Sequence, residues 1–311
     1  MGGEARIVVT GAAGFIGRAL CRALAERGDD VCGLVRGPAP APAGVAFCPI
    51  GSIGPDTAWG PHLCGAEIVV HLATRAHRRG EPPGDEAAAA VRLARTAAIC
   101  GVRRLVYASS LRAMGARTER GVPFRAADPP RPPDPYGRAK LAIERALAAA
   151  AQQTGLAVVI LRPPLVYGPA AKGNFRALLR LAATGLPLPF AGIDNRRSLI
   201  FLDNLVDLTI CACHAPEAAG RVLLARDIDL STPDLVCALA AGLGRRALLF
   251  PLPEPAFAVL RALPGLGPLA ARLSLSLEAD DRATRKVLGW APPFPAEAAL
   301  AATARAFRMP R

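Results

Sequence analysis

A doubly wound α/β sheet is the fold class predicted for this chain, and three features predict it. A β-branched burst, Arg6-Ile7-Val8-Val9, opens the sequence, and a glycine-rich turn, Thr10 to Gly17 (TGAAGFIG), follows at once. Strand-like and helix-like segments then alternate as far as Arg162. Such alternation implies parallel strands joined by right-handed crossovers.

The turn is the most informative stretch. Gly11, Gly14 and Gly17 recur at every third residue, and from Phe15 onward FIGRALCRALAERG carries apolar residues at helical period. A strand that turns sharply into a helix gathers unpaired backbone N–H groups and the positive end of the helix dipole at one point. Glycines there let the backbone approach a pyrophosphate closely and let the helix pack on the strand. Dinucleotide binding is the functional expectation, and a plain strand-helix turn is the structural alternative.

The remaining elements follow in order. Asp30 to Arg36 reads as a second strand, Val45 to Cys48 as a short third, and Ile68 to His71 as a fourth. Ala87 to Cys100 is predicted helical, and Leu105 to Ser109 is a fifth strand ending in Ser109-Ser110. Gly115 to Pro135, rich in Pro, Arg and Asp, reads as an exposed loop over the strand ends. Tyr136 opens a long helix that stops at Gly155, a C-terminal stop signal, and Ala157 to Arg162 is a sixth strand. Beyond it the pattern loosens into a helix from Asn174, a strand over Ser198–Leu202, a helix over Asn204–His214 and a strand over Arg221–Ala225. Ser231-Thr232-Pro233 is expected to cap a further helix, with proline at its first position. Residues 1–165 are thus expected to form a dinucleotide-binding domain. Residues 166–311 would form mainly a smaller, discontinuous C-terminal substrate lobe, with Ser198–His214 returning to the first domain.

Composition narrows the classes of function. The chain is 52% hydrophobic and 20% charged, which is globular. Its net charge of +13 is nearly all arginine, lysine occurring only at Lys140, Lys172 and Lys286, and the arginines are scattered. That argues against a nucleic-acid partner, while arginines near a pocket suit an anionic, phosphate-bearing substrate. The eight cysteines form no C-x-x-C pair and read as reduced core residues of a cytoplasmic protein, with no metal expected. The apolar region from Ala247 to Leu277 is broken by prolines and charges before it reaches the ~20 residues of a membrane span, so a packed helical lobe is expected there.

Tyr136 and Lys140 stand four apart on one helix and so share a face. A phenol with its ordinary pKa near ~10 is a poor acid-base group at neutral pH. A nearby ammonium, together with a cationic nicotinamide ring, favours the phenolate and brings it towards working range.

TGAAGFIG, His71-Leu72-Ala73, Ser109-Ser110, Pro135-Tyr136-Gly137-Arg138-Ala139-Lys140 and Arg162-Pro163-Pro164-Leu165-Val166-Tyr167-Gly168-Pro169 occur together in that order. In order and spacing the chain resembles the extended short-chain dehydrogenase/reductases, in their nucleotide-sugar epimerase/dehydratase branch, from residue 6 to about residue 295. The resemblance implies a Rossmann-type fold and NAD or NADP as cofactor. It implies Ser110, Tyr136 and Lys140 as the catalytic set, with Ser110 also touching substrate. It puts Gly11, Ala13, Gly14, Phe15, Ile16, Gly17, Leu72, Ala73, Thr74, Ser109, Pro163, Leu165 and Val166 against the cofactor, and Asn174 and Arg197 on the substrate's diphosphate. A homodimer through the Ala87–Cys100 and Tyr136–Thr154 helices is implied as well.

Departures from the family pattern refine the reaction. Leu111-Arg112 stands where dehydratase members carry Asp-Glu, which argues against sugar dehydration. Val35 stands where NAD-specific members place an acid, and the following Arg36 suits a 2′-phosphate, with a solvated loop arginine as the other reading. Ser52 replaces the acid that meets adenine, and Glu86 with Ala89-Ala90 replaces the usual Asn and Gly-Thr. The stretch Lys172 to Leu208 looks like that of the reductases forming UDP-N-acetylquinovosamine for surface polysaccharide. The expected activity is therefore 4-keto reduction of a UDP-4-keto-6-deoxy-N-acetylhexosamine, with UDP-hexose 4-epimerase and a non-catalytic dinucleotide-binding protein as alternatives.

Overall fold

The computed structural model describes residues 5–73, 84–171, 173–253, 255 and 273–308. The expectations at Thr74 and Lys172, and most of the Ala247–Leu277 region, lie outside them. The Rossmann-type doubly wound sheet is present. Its strands are β1 (Arg6–Thr10), β2 (Asp30–Val35), β3 (Val45–Pro49), β4 (Ile68–His71), β5 (Arg104–Ala108), β6 (Ala157–Arg162) and β9 (Val222–Leu224), in the order β3-β2-β1-β4-β5-β6-β9. Every neighbouring pair in this seven-stranded sheet is parallel. The order reverses between β1 and β4, and a crevice opens beyond the carboxyl ends of strands at such a switch point.

Alternate residues of each strand face opposite layers, so β-branched runs bury both faces. Ile7, Val9, Val31, Ile68 and Val106 pack with α1 (Phe15–Glu26) and α6 (Leu202–His214). Val8, Leu34, Val69, Leu105 and Val158 face α2 (Gly60–Leu63), α3 (Gly84–Ile99) and α4 (Pro135–Thr154). Helix α4 is capped at both ends. Asp134 accepts from the Gly137 N–H at 3.0 Å, and Gly155 closes the helix with φ of 74°.

A second sheet, β10 (Ile228–Leu230), β8 (Arg197–Phe201) and β7 (Leu165–Tyr167), carries a separate core. There Tyr167, Leu199 and Phe201 pack on α5 (Gly173–Thr184), α7 (Thr232–Gly242) and α9 (Ala296–Arg308). A last short helix, α8, spans Arg282–Leu288. Ser231 caps α7 by accepting from Asp234 N, which puts Pro233 at the second helical position rather than the first.

Two expectations change. The Gly115–Pro135 segment is pinned rather than free: Thr118 N donates to Ser276 O at 2.9 Å and Phe124 N to Glu278 O at 3.0 Å. The cysteines are not all core residues, because only Cys21 and Cys213 are buried, while Cys64 and Cys237 are exposed. Among the described residues no helix is long and apolar enough to cross a membrane.

Candidate active site

The first wall of the site is the β1–α1 turn. Gly11 has φ of +69°, and a Cβ on it would lie 2.9 Å from Ala73 N. A Cβ on Gly17 would lie 2.3 Å from Gly11 O, so only glycine lets α1 sit this close to β1. Gly14 is the N-cap residue and offers no side chain to α1's first N–H groups. Those donors are left for an anion at the helix start.

Thr10 fixes the facing wall. Its Oγ1 lies 2.8 Å from His71 Nδ1 and accepts from the backbone N–H of both Leu72 and Ala73 at 3.2 Å. Burial first, and then the charge of Lys140, hold the His71 pKa down at about 3, so its imidazole is neutral. Leu72 and Ala73 are half-buried beside Gly11.

The end of β5 carries the residues expected to handle the proton. Ser110 Oγ accepts from Arg112 N at 3.2 Å and is hydrogen-bonded to the Tyr136 side chain. Lys140, one turn along α4, donates to Tyr107 Oη at 3.2 Å and to Ala108 O at 3.1 Å. The ammonium also lies 4.9 Å from the centre of the Tyr107 ring, a cation–π distance. Burial lowers the Lys140 pKa to about 8, against the charges of Glu86 and Glu144, which support the cation. The Tyr136 pKa is raised, by burial first; its bond to Ser110 and the charge of Arg112 pull it back, while Asp134 and Glu86 push it further up. Ser110 follows β5, Lys140 reaches the last carbonyl of that strand, and Tyr136 lies one turn before Lys140 on α4.

Other expected residues fare differently. The Ser109 hydroxyl donates to Glu144 Oε1 and so points into the protein. Pro163 is buried, and its carbonyl accepts from Leu111 N at 2.8 Å. Leu165 and Val166 are half-buried in β7, and Ala13, Phe15 and Ile16 are half-buried at the start of α1. Arg36 is exposed at the carboxyl end of β2. Asn174 lies in the first turn of α5, its side chain outside the described residues. Arg197 opens β8, and its Nη1 donates to Leu275 O at 3.0 Å. Among the described residues no cluster of three or more His, Cys, Asp or Glu side chains could hold a metal ion.

Two buried charges escaped the sequence reading. Glu144, one turn beyond Lys140, receives Arg162 Nε at 3.0 and 3.2 Å and Nη2 at 2.5 Å. Their sequence signal is the spacing of Tyr136, Lys140 and Glu144, which places all three on one face of α4.

Residues 7–224 match the model of the NAD dependent epimerase/dehydratase family. The chain is 35% identical to a UDP-glucose 4-epimerase of Vibrio cholerae, over 97% of this chain and 95% of that one. It is 30% identical to a 2-alkyl-3-oxoalkanoate reductase of Stenotrophomonas maltophilia, over 77% of this chain and 76% of that one. Among solved structures, MoeE5 in complex with UDP-glucuronic acid and NAD is similar with a TM-score of 0.76 and 26% identity, over 98% of this chain and 99% of that one.

Proposed function

Because the chain belongs to the NAD dependent epimerase/dehydratase family, we propose that it carries out hydride chemistry at carbon 4 of a UDP-hexose, as a 4-epimerase using NAD(P). One observation carries the catalytic reading. Ser110 follows β5, Lys140 donates to the carbonyl of Ala108 at its end and Tyr136 lies one turn before Lys140, while the start of α1 leaves its N–H groups without a side-chain cap. A protein that only bound a dinucleotide would need the second feature and not the first.

The cradle fits a dinucleotide, since side chains at Gly11 or Gly17 would fill it. Gly11, Gly14 and the first turn of α1 would hold the pyrophosphate, with Leu72 and Ala73 opposite and Leu165 and Val166 near the nicotinamide. When bound, the nicotinamide supplies a reversible hydride acceptor. Tyr136 then takes the proton of the sugar hydroxyl and later returns it to the carbonyl oxygen. Ser110 hydrogen-bonds that same oxygen, and the Lys140 charge favours the phenolate. Asn174 and Arg197 are assigned to the diphosphate, within a substrate lobe built from residues beyond 165. The outer faces of α3 and α4, where Ile99 at the end of α3 is 85% exposed, are assigned to a homodimer.

Arg36 supports a second reading. A cation rather than an acid follows β2, which suits a 2′-phosphate and a cofactor that arrives as NADPH and leaves oxidised. That reading is the 4-keto reduction of a UDP-4-keto-6-deoxy-N-acetylhexosamine, a step in surface-polysaccharide synthesis. The assay is NAD(P)H absorbance with that keto sugar, run beside interconversion of UDP-hexoses with catalytic NAD. Interconversion supports the epimerase, and stoichiometric loss of reduced cofactor supports the reductase. Silence in both assays, with Tyr136→Phe unchanged in every property, would overturn catalysis altogether.

A further inference from the structure

We propose that Arg112 is a positioning residue for the catalytic phenol, a second cation that acts on Tyr136 from outside the helix bearing Lys140. The inference rests on the catalytic reading of Tyr136 and goes beyond it. Three contacts fix the arginine. Its backbone N–H donates to Ser110 Oγ at 3.2 Å, which leaves the serine hydrogen free to point at the phenol. Its Nη2 lies 2.8 Å from Asp134 Oδ2, the carboxylate that caps the helix carrying Tyr136. Its guanidinium carbon lies 5.9 Å from the centre of the Tyr136 ring.

The geometry divides work between the two cations. The Lys140 ammonium makes its direct contacts with Tyr107 Oη, the Ala108 carbonyl and the Tyr107 ring, and so acts on Tyr136 only as a charge one helical turn away. Arg112, by contrast, stands over the reacting ring itself. Its anchor is an acid that on its own disfavours the phenolate; the pair is net neutral, and the pull of Arg112 on Tyr136 exceeds the push of Asp134, so the balance favours the phenolate. Among the described residues, the groups acting on Tyr136 are Ser110 and Arg112 from the β5 end, Asp134 before α4, Glu86 from α3 and Tyr107, whose hydroxyl accepts from Lys140. Of these, Ser110 and Arg112 favour the phenolate, while Asp134 and Glu86 oppose it.

The test needs no turnover. The chain has three tyrosines, Tyr107, Tyr136 and Tyr167, and the other two are fully buried with pKa values pushed up by burial. In protein labelled with fluorotyrosine, ¹⁹F NMR follows each phenol through its own titration, and Tyr136→Phe identifies the resonance. Removing the charge in Arg112→Gln should move the Tyr136 titration up by about one pH unit, a tenfold loss of phenolate at fixed pH. Arg112→Lys should restore most of it, and the kcat/KM profile should follow the same order. A Tyr136 titration unchanged in folded Arg112→Gln would overturn the proposal. So would a shift that Arg112→Lys fails to reverse, because the arginine would then act by shape rather than charge. If no UDP-sugar turns over while the titration moves as expected, the catalytic reading fails and the electrostatic one stands.

Discussion

Glu144 and Arg162 form a two-toothed ion pair inside the protein, with side chains 3% and 5% exposed. The pair ties α4, which carries Tyr136 and Lys140, to the end of β6. Ser109 adds its hydroxyl to the same carboxylate. Breaking such a pair leaves an uncompensated buried charge and costs about 3–5 kcal/mol, whereas replacing both partners by apolar groups of similar size costs far less. Glu144→Ala should therefore lower the urea midpoint sharply, and Glu144→Leu with Arg162→Met should recover much of it. Equal loss in the single and double variants would show that the pair is not what holds α4 down.

Lys140 carries a charge that the proposed reaction uses and that is unfavourable to the fold. Its pKa falls from 10.5 to about 8 on folding, by burial first, so between those values the unfolded chain binds more protons. Stability then rises with pH through that window, and below about pH 8 the buried charge exerts its full penalty. Lys140→Met should lose catalysis while unfolding at a temperature no lower than the parent at pH 7. Its stability should also be flat where the parent's climbs.

His71 has the opposite consequence on the acid side. Its pKa drops from 6.5 to about 3, so the unfolded state takes up a proton that the folded state refuses. Stability is complete above pH 6.5 and falls as the pH drops towards 3, by about 3 kcal/mol at pH 4. His71→Asn should show a flatter acid limb in denaturant titrations between pH 6.5 and 4.

Gly17→Ala tests the cradle. The new Cβ would lie 2.3 Å from Gly11 O and 2.8 Å from Ala12 Cα, both backbone atoms that cannot rotate away. Overpacking of this kind costs about 1–3 kcal/mol or more. The turn would also move, so dinucleotide affinity, read by fluorescence titration, should fall further than stability does.

The glycine turn and the Tyr136–Lys140 face were legible because each depends on local spacing, which the sequence prints directly. The buried first strand was legible from its β-branched run. Glu144 and Arg162 were not, since a charged residue on a helix reads as solvated until its partner arrives from a distant strand. The family resemblance implies Ser109 at the cofactor, but its hydroxyl donates to the buried Glu144, a partner that local spacing does not reveal. The tie between Arg197 and the Leu275 carbonyl and the pinning of Thr118 to Ser276 are long-range pairings without a local signature.

Strand β9 completes the main sheet only after the whole of β7, α5 and β8 has been made, and it lies against β6. During synthesis β6 therefore waits with one bare edge, its N–H and C=O groups exposed, until residues 222–224 emerge. Helix α6, which covers the α1 side of the sheet, arrives in the same late segment. A nascent chain stalled before that point would carry a sticky half-finished sheet, and is the species that a chaperone would have most reason to hold.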